Sequence, residues 1–200
     1  MGKIMIINGS PRAPKSNSKR YAEIFIKQGK GDTAYFNITK SNHVELCDKA
    51  ADFGDILFVF PLYADGIPVT LLRFLKTLEE NPPKSKPVIS VLINCGFIEY
   101  QQNDVAIEIM KLFCEQNGYQ FGSVLRIGGG EAILDTPFKL FVIWKIKELH
   151  ATISNAHYKT LQVTMPLSKK LYIKASTNYW INYGQKNGIS KEQMETMKIE

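Results

Sequence analysis

The start of the chain restricts the possible folds more than any other stretch. Lys3-Ile4-Met5-Ile6-Ile7 runs without a break into Asn8-Gly9-Ser10-Pro11-Arg12. Four consecutive apolar residues closed by turn formers describe a strand buried on both faces, as in a parallel sheet. Ala13 to Lys19 then contributes Pro14, Ser16, Asn17 and Ser18, and Tyr21, Ala22, Ile24 and Phe25 follow at helical spacing. Strand, polar loop and helix in that order supply hydroxyls, an amide, an arginine and backbone N–H groups at a helix N-terminus. That is chemistry for a phosphate. The same residues also suit an ordinary βα connection in which Ser16 or Ser18 caps the helix. Neither Gly-x-x-x-x-Gly-Lys-Ser/Thr nor Gly-x-Gly-x-x-Gly follows the strand, so an anion here depends on hydroxyls and Arg12 more than on glycine-rich backbone.

The alternation continues. Asp32 to Asn37 reads as a second strand after the Gly29/Gly31 turn, and His43 to Asp52 as a short helix. Asp55 to Phe60 is a third strand stopped by Pro61, followed by a helix over Leu71 to Leu78 that ends at Pro82-Pro83. Pro87 to Asn94, Val105 to Glu115 and Tyr119 to Ile127 read as strand, helix and strand. Strands alternating with helices predict a three-layer α/β sandwich around a parallel sheet. Right-handed crossovers leave few topologies, and five strands in this length suit the order 2-1-3-4-5. The expected division is a domain over 1–163 and a basic helical extension over 164–200, packed on the domain or on a second subunit. Within the extension, 168–181 interleaves lysines with apolar and aromatic residues as on an amphipathic helix. Ser190 and Gln193 have the spacing of a helix-capping pair.

In a 2-1-3-4-5 sheet, ligands bind at the carboxyl ends of strands one and three, where the strand order reverses. The loop after strand three is Pro61-Leu62-Tyr63-Ala64-Asp65-Gly66-Ile67-Pro68. It can present backbone groups to a flat heteroaromatic ring with Leu62 or Tyr63 packed against it, and it also suits a plain turn with Pro68 opening a helix. The loop after strand four, Asn94 to Gln101, borders the same edge with amides, Gly96, Phe97 and Tyr100.

Bulk properties exclude several classes. The three cysteines, Cys47, Cys95 and Cys114, are far apart and odd in number, so neither a disulfide framework nor a zinc site is expected. Cys95 has no histidine placed as its base. The first apolar run is too short for a signal peptide, and the stretch from Phe138 to Ile146 is broken by Lys139 and Lys145. The expectation is a cytoplasmic protein without stable membrane insertion. Residues 139–200 hold ten lysines against four glutamates, the whole of the net charge of +6. We read this basic surface as solubilising, with no nucleic-acid partner.

Ile-Asn-Gly-Ser-Pro-Arg, Ser-Asn-Ser, Pro-Leu-Tyr-Ala-Asp-Gly-Ile-Pro with Leu72 and Phe74, and Asn-Cys-Gly-Phe together resemble the flavodoxin-like NAD(P)H-dependent FMN reductases and quinone or azo reductases over about residues 3–130. The resemblance implies that Ser10, Arg12, Ser16, Asn17 and Ser18 bind the FMN phosphate. It implies that Pro61, Leu62, Tyr63, Ala64, Asp65, Gly66 and Ile67 meet the isoalloxazine ring, largely through backbone, and that Asn94, Gly96, Phe97 and Glu99 flank it. It further implies NADH or NADPH as co-substrate, a small-molecule electron acceptor and a homodimer. Hydride transfer itself needs no side-chain acid or base, so no residue is assigned a catalytic role. The cysteine-rich insert of the iron–sulfur relatives is missing, and no metal is expected. A flavodoxin-type electron carrier and a non-catalytic flavodoxin-like module are the alternatives.

Overall fold

The computed structural model describes residues 2–13, 15–29 and 33–196. Pro14, the Gly31 part of the predicted turn and the Asp32 start of the predicted second strand lie outside them. The elements are β1 (Ile4–Asn8), α1 (Asn17–Gln28), β2 (Thr33–Asn37), α2 (His43–Ala50), β3 (Asp55–Pro61), α3 (Val69–Glu80), β4 (Val88–Asn94), α4 (Asp104–Asn117), β5 (Phe121–Ile127), α5 (Lys139–Ser154) and β6 (Thr160–Val163), with 3₁₀ turns at Tyr100–Asn103 and Ile133–Asp135. All strand pairings are parallel.

The expected five strands are six. The order is β2-β1-β3-β4-β5-β6, so the flavodoxin-like 2-1-3-4-5 core stands and gains an edge strand. β6 is four residues, Thr-Leu-Gln-Val, with only Leu161 and Val163 buried. Two alternating apolar residues are too weak a signal to separate from a loop.

The crossover that leads to β6 has an unusual hand. Alternate strand residues face opposite sides of the sheet. On β5, Val124 joins the core built by α2, α3 and α4, and Arg126 reaches Asp104 at the start of α4. Ser123, of opposite parity, reaches Thr152 on α5, and α5 packs on α1. The steps β4–α4–β5 and β5–α5–β6 move the same way along the sheet, yet their helices lie on opposite faces. With the first in the usual right hand, the second is left-handed, the rare form. The sheet explains the exception. A right-handed α5 would join α4 on the already covered face and leave α1 alone on the other. Placed beside α1, α5 covers β5 and β6 with Val142, Ile146, Leu149 and Ile153 buried. Burial of that apolar face outweighs the preference of the connection.

β1 is buried along its whole length, as its apolar run requires. Ser16 caps α1 by accepting a hydrogen bond from the Lys19 N–H, and Ser18, Tyr21, Ala22 and Phe25 form the buried stripe of that helix. Among the described residues no helix is long and apolar enough to cross a membrane.

The chain divides into two compact units, residues 1–165 and 166–200. The second holds α6 (Lys169–Lys186) and α7 (Lys191–Thr196). The Ser190 N–H donates to Gln193 Oε1 at 2.8 Å and the Gln193 N–H to Ser190 Oγ at 3.2 Å, so the capping pair read from the sequence forms. On α6, Tyr179, Trp180 and Tyr183 contact one another ring to ring and are exposed.

Candidate functional site

The carboxyl ends of β1, β3, β4 and β5 share one edge of the sheet. Parallel register sets Asn8 beside Val59, and Pro61, Asn94 and Ile127 in one row. The loops that leave this edge are tied in sequence. The Gly9 N–H donates to the Val59 carbonyl, the Leu62 N–H to Asn94 at 2.7 Å and the Cys95 N–H to Ile127 at 3.0 Å. The strand topology therefore places all three predicted loops side by side. α3 passes close to Gly9: a Cβ there would lie 3.1 Å from Leu71 Cβ, a tight contact.

The first loop is rich in donors. Ser16 Oγ accepts from the Lys19 N–H at 3.2 Å, and Ser10 Oγ from the Arg12 N–H at 3.2 Å. Ser18 lies in the first turn of α1 on its buried stripe, and its hydroxyl has no hydrogen-bond partner among the described residues. A buried hydroxyl without a partner is costly, and a ligand at the N-terminus of a twelve-residue helix would satisfy it. Arg12 is exposed and takes part in no ion pair among the described residues. Ser10, Arg12, Ser16 and Ser18 thus fit a phosphate.

Asn17 has a different engagement from the expected one. Its Nδ2 donates to the Glu131 carbonyl at 3.1 Å, and its Oδ1 accepts from Arg20 at 3.0 Å. Arg20 in turn pairs with Asp135. The guanidinium holds the Asp135 carboxyl below its ordinary value, chiefly through that hydrogen bond. Beneath them the Tyr21 hydroxyl, buried and pushed far above its usual range by desolvation, donates to the Gly130 carbonyl at 2.8 Å. The start of α1 is strapped to the loop after β5.

That loop was not anticipated as part of the site. The Gly129 N–H donates to Phe97 at 2.6 Å and the Gly130 N–H to Cys95 at 2.7 Å, so 128–130 is stitched to the loop after β4. A Cβ on Gly130 would lie 2.7 Å from Asn94 Cβ, and only glycine permits this approach. The three successive glycines were the available signal.

In the second loop, Pro61, Leu62 and Ile67 are half-buried, with Leu62 and Ile67 packed on the core, while Tyr63, Ala64 and Asp65 are exposed. Tyr63 and Gly66 exchange N–H···O bonds of 3.0 and 3.1 Å. Ala64 at φ 48° and Asp65 at φ 57° occupy the left-handed region between them, the signature of a type I′ turn. Gly66 is not the strained residue.

In the third loop, Asn94 is buried and donates to the Phe60 carbonyl at 3.3 Å. Gly96 has open space where a Cβ would stand, Phe97 is 51% exposed and Glu99 is half-buried at the start of the 3₁₀ turn. Tyr63, 60% exposed, and Phe97 are the aromatic rings available to a flat ligand at this edge. Tyr100 instead lies beneath the Arg126 guanidinium at 4.8 Å, and Arg126 is held by Asp104 at 2.7 Å. Burial raises the Cys95 thiol above its ordinary pKa, and Asn103 Nδ2 donates to its sulfur at 3.4 Å.

No family model matches the chain. No curated protein matches it either. Solved structures do. An FMN-dependent NADH-azoreductase of Bacillus anthracis in complex with FMN aligns with TM-score 0.60 and 15% identity over 76% of this chain and 100% of that one. An NAD(P)H:quinone oxidoreductase of Methanothermobacter marburgensis aligns with TM-score 0.55 and 12% identity over 76% and 97%. Rubredoxin oxygen:oxidoreductase of Desulfovibrio gigas aligns with TM-score 0.58 and 13% identity over 78% of this chain, which spans only 36% of that one. At these identities the likeness is one of fold.

Proposed function

We propose that the protein is an FMN-dependent oxidoreductase that transfers hydride from NADH or NADPH to a small acceptor: a quinone, an azo compound, a nitroaromatic or free flavin. The observation that carries the reading is the buried hydroxyl of Ser18 at the N-terminus of α1, without a partner among the described residues, beside Ser10, Ser16 and Arg12 at the edge where the strand order reverses. FMN, when bound, supplies the redox chemistry. The chain's own residues bind and orient it. Ser10, Ser16, Ser18 and Arg12 hold the phosphate, while Asn17 serves the phosphate loop indirectly by bracing it against Glu131. Pro61 to Ile67 border the ring on one side, and Asn94, Gly96, Phe97 and Glu99 on the other. Leu62, Tyr63, Ile67 and Phe97 exclude water from it.

The reading includes a cytoplasmic homodimer. α3 exposes Val69 and Leu72 beside Arg73 and Lys76, and α4 exposes Val105, Ile109 and Leu112 beside Glu108 and Glu115. A second copy that lays its α4 on this α3 joins apolar to apolar.

The test is a titration of FMN into purified protein, followed by visible absorbance and flavin fluorescence. Saturable one-to-one binding, lost in the Arg12→Ala/Ser18→Ala double variant, and oxidation of NADH or NADPH with an added acceptor are the expected results. Binding without NAD(P)H oxidation assigns an electron carrier instead. Folded protein that ignores FMN overturns both.

A further inference from the structure

Asn8 is the one polar residue of β1 and is wholly buried. Its side-chain Oδ1 accepts from the Ser10 N–H at 2.9 Å. A backbone N–H only donates, so the oxygen must face it and the orientation of the amide is fixed. Nδ2 then points at Tyr35 Oη, 2.8 Å, and Ser16 Oγ, 3.3 Å, with Asn37 Oδ1 further off at 3.4 Å. Tyr35 donates its own proton to Asn37 Oδ1 at 2.7 Å, so it accepts from Asn8.

The consequence falls on Ser16. A hydroxyl oxygen has two acceptor sites and one proton. Both acceptor sites of Ser16 are filled by N–H groups, that of Lys19 and that of Asn8. What Ser16 has left to offer is its proton. Ser10 Oγ likewise accepts the Arg12 N–H.

We propose that Asn8 is a positioning residue that sets the direction of the Ser16 hydroxyl, turning it into a donor at the first loop that favours a phosphate and discriminates against ligand groups that must donate. This rests on the phosphate role given to the loop above, and it assigns the selectivity to a residue that touches no ligand. Asn8 reads as the first turn former after the strand in the sequence, yet one amide joins β1, β2, the loop and the cap of α1.

Asn8→Asp tests it. The carboxylate still accepts from the Ser10 N–H, but it has no proton for Ser16. The Ser16 hydroxyl must now turn its own proton inward, away from the ligand, above a buried negative charge. The readout is the ratio of riboflavin Kd to FMN Kd by fluorescence titration, because the two ligands differ only in the phosphate. Loss of one hydrogen bond to a charged group corresponds to at least about a tenfold change. Asn8→Asp is therefore expected to reduce the ratio about tenfold or more with riboflavin binding unchanged. Asn8→Ala, which removes the amide without adding charge, is expected to reduce it less and serves if the aspartate variant does not fold. Tyr35→Phe leaves Asn8 bonded to Ser16 and is expected to keep the wild-type ratio. Wild-type protein that binds FMN no better than riboflavin, or binds neither, overturns the phosphate reading and this inference with it. A wild-type preference for FMN that persists in the Asn8 variants, or that falls equally in Tyr35→Phe, overturns the inference alone.

Discussion

The turn at 63–66 makes a prediction that runs against its composition. Gly66 looks like the indispensable residue of Tyr-Ala-Asp-Gly, but the left-handed backbone belongs to Ala64 and Asp65. The left-handed conformation costs an ordinary L-residue about 1–2 kcal/mol, and less for aspartate. Glycine removes that cost but gives back about 0.4–1 kcal/mol through the greater freedom of the unfolded chain. Ala64→Gly should therefore stabilise by about 0.5–1 kcal/mol, and Asp65→Gly by less. For a chain of this size the first is worth about 1–4 °C in Tm. Gly66→Ala provides the control. Its φ is not positive, and an added Cβ meets only the Ala64 carbonyl at 4.0 Å, so it should be neutral or slightly stabilising. Ala64→Val, β-branched at a positive φ, should destabilise by about 1 kcal/mol or more. Urea unfolding followed by circular dichroism reads all four variants as shifts of midpoint at constant slope. The reasoning fails if Ala64→Gly lowers the midpoint while Gly66→Ala costs more than about 1 kcal/mol. That outcome would place the strain, and the need for glycine, at position 66.

Two further outcomes are expected. His150, 8% exposed, packs its ring against Phe25, with its Nε2 buried and without a hydrogen-bond partner among the described residues. Burial lowers its pKa below 6.5. The unfolded chain therefore binds the proton more readily, and this contribution to stability, present above pH 6.5, is lost as pH falls through the lower folded value. Urea midpoints at about pH 7.5 and 5.5 should differ more in the wild type than in His150→Leu; equal differences would remove His150 from the account. For the proposed dimer, size exclusion with light scattering is expected to give a wild-type dimer and an Ile109→Glu monomer, Ile109 lying on the exposed stripe of α4; a monomeric wild type would overturn the dimer, and an unchanged dimer would move the interface elsewhere.

What the sequence revealed and what it concealed follow from how far each signal extends. β1, β3 and β4 announce themselves because a strand buried on both faces is apolar at nearly every position. β6 was hidden because an edge strand needs few apolar residues, and because the usual hand of crossovers argues against it. The helix over 71–78 was legible from its leucine spacing, and α3 extends it by two residues at each end, to 69–80. In the site, the serines of the first loop could be picked out by type. The destination of a side chain could not: Asn17 and Ser18 are adjacent, equally polar and equally suited to phosphate, yet one is braced against Glu131 and the other is buried without a partner among the described residues. That difference depends on where the loop after β5 lies, more than a hundred residues away. The turn at Ala64-Asp65 lacks the Asn-Gly that normally marks its type, so its conformation was unreadable locally.

The left-handed return through α5 also decides where the chain is delivered. Without β6, the descent of α5 would release the backbone at the edge opposite the ligand loops. β6 is a return stroke parallel to β5, so residue 164 emerges beside them, and the Thr164 hydroxyl donates to the Ile98 carbonyl at 2.6 Å. The first compact unit therefore ends, at residue 165, on the edge of the sheet that carries the loops after β1, β3 and β4. A reporter inserted between residues 165 and 166 therefore starts from the carboxyl edge of β5, whereas one joined ahead of β1 starts a full strand length away, at the far edge of the sheet.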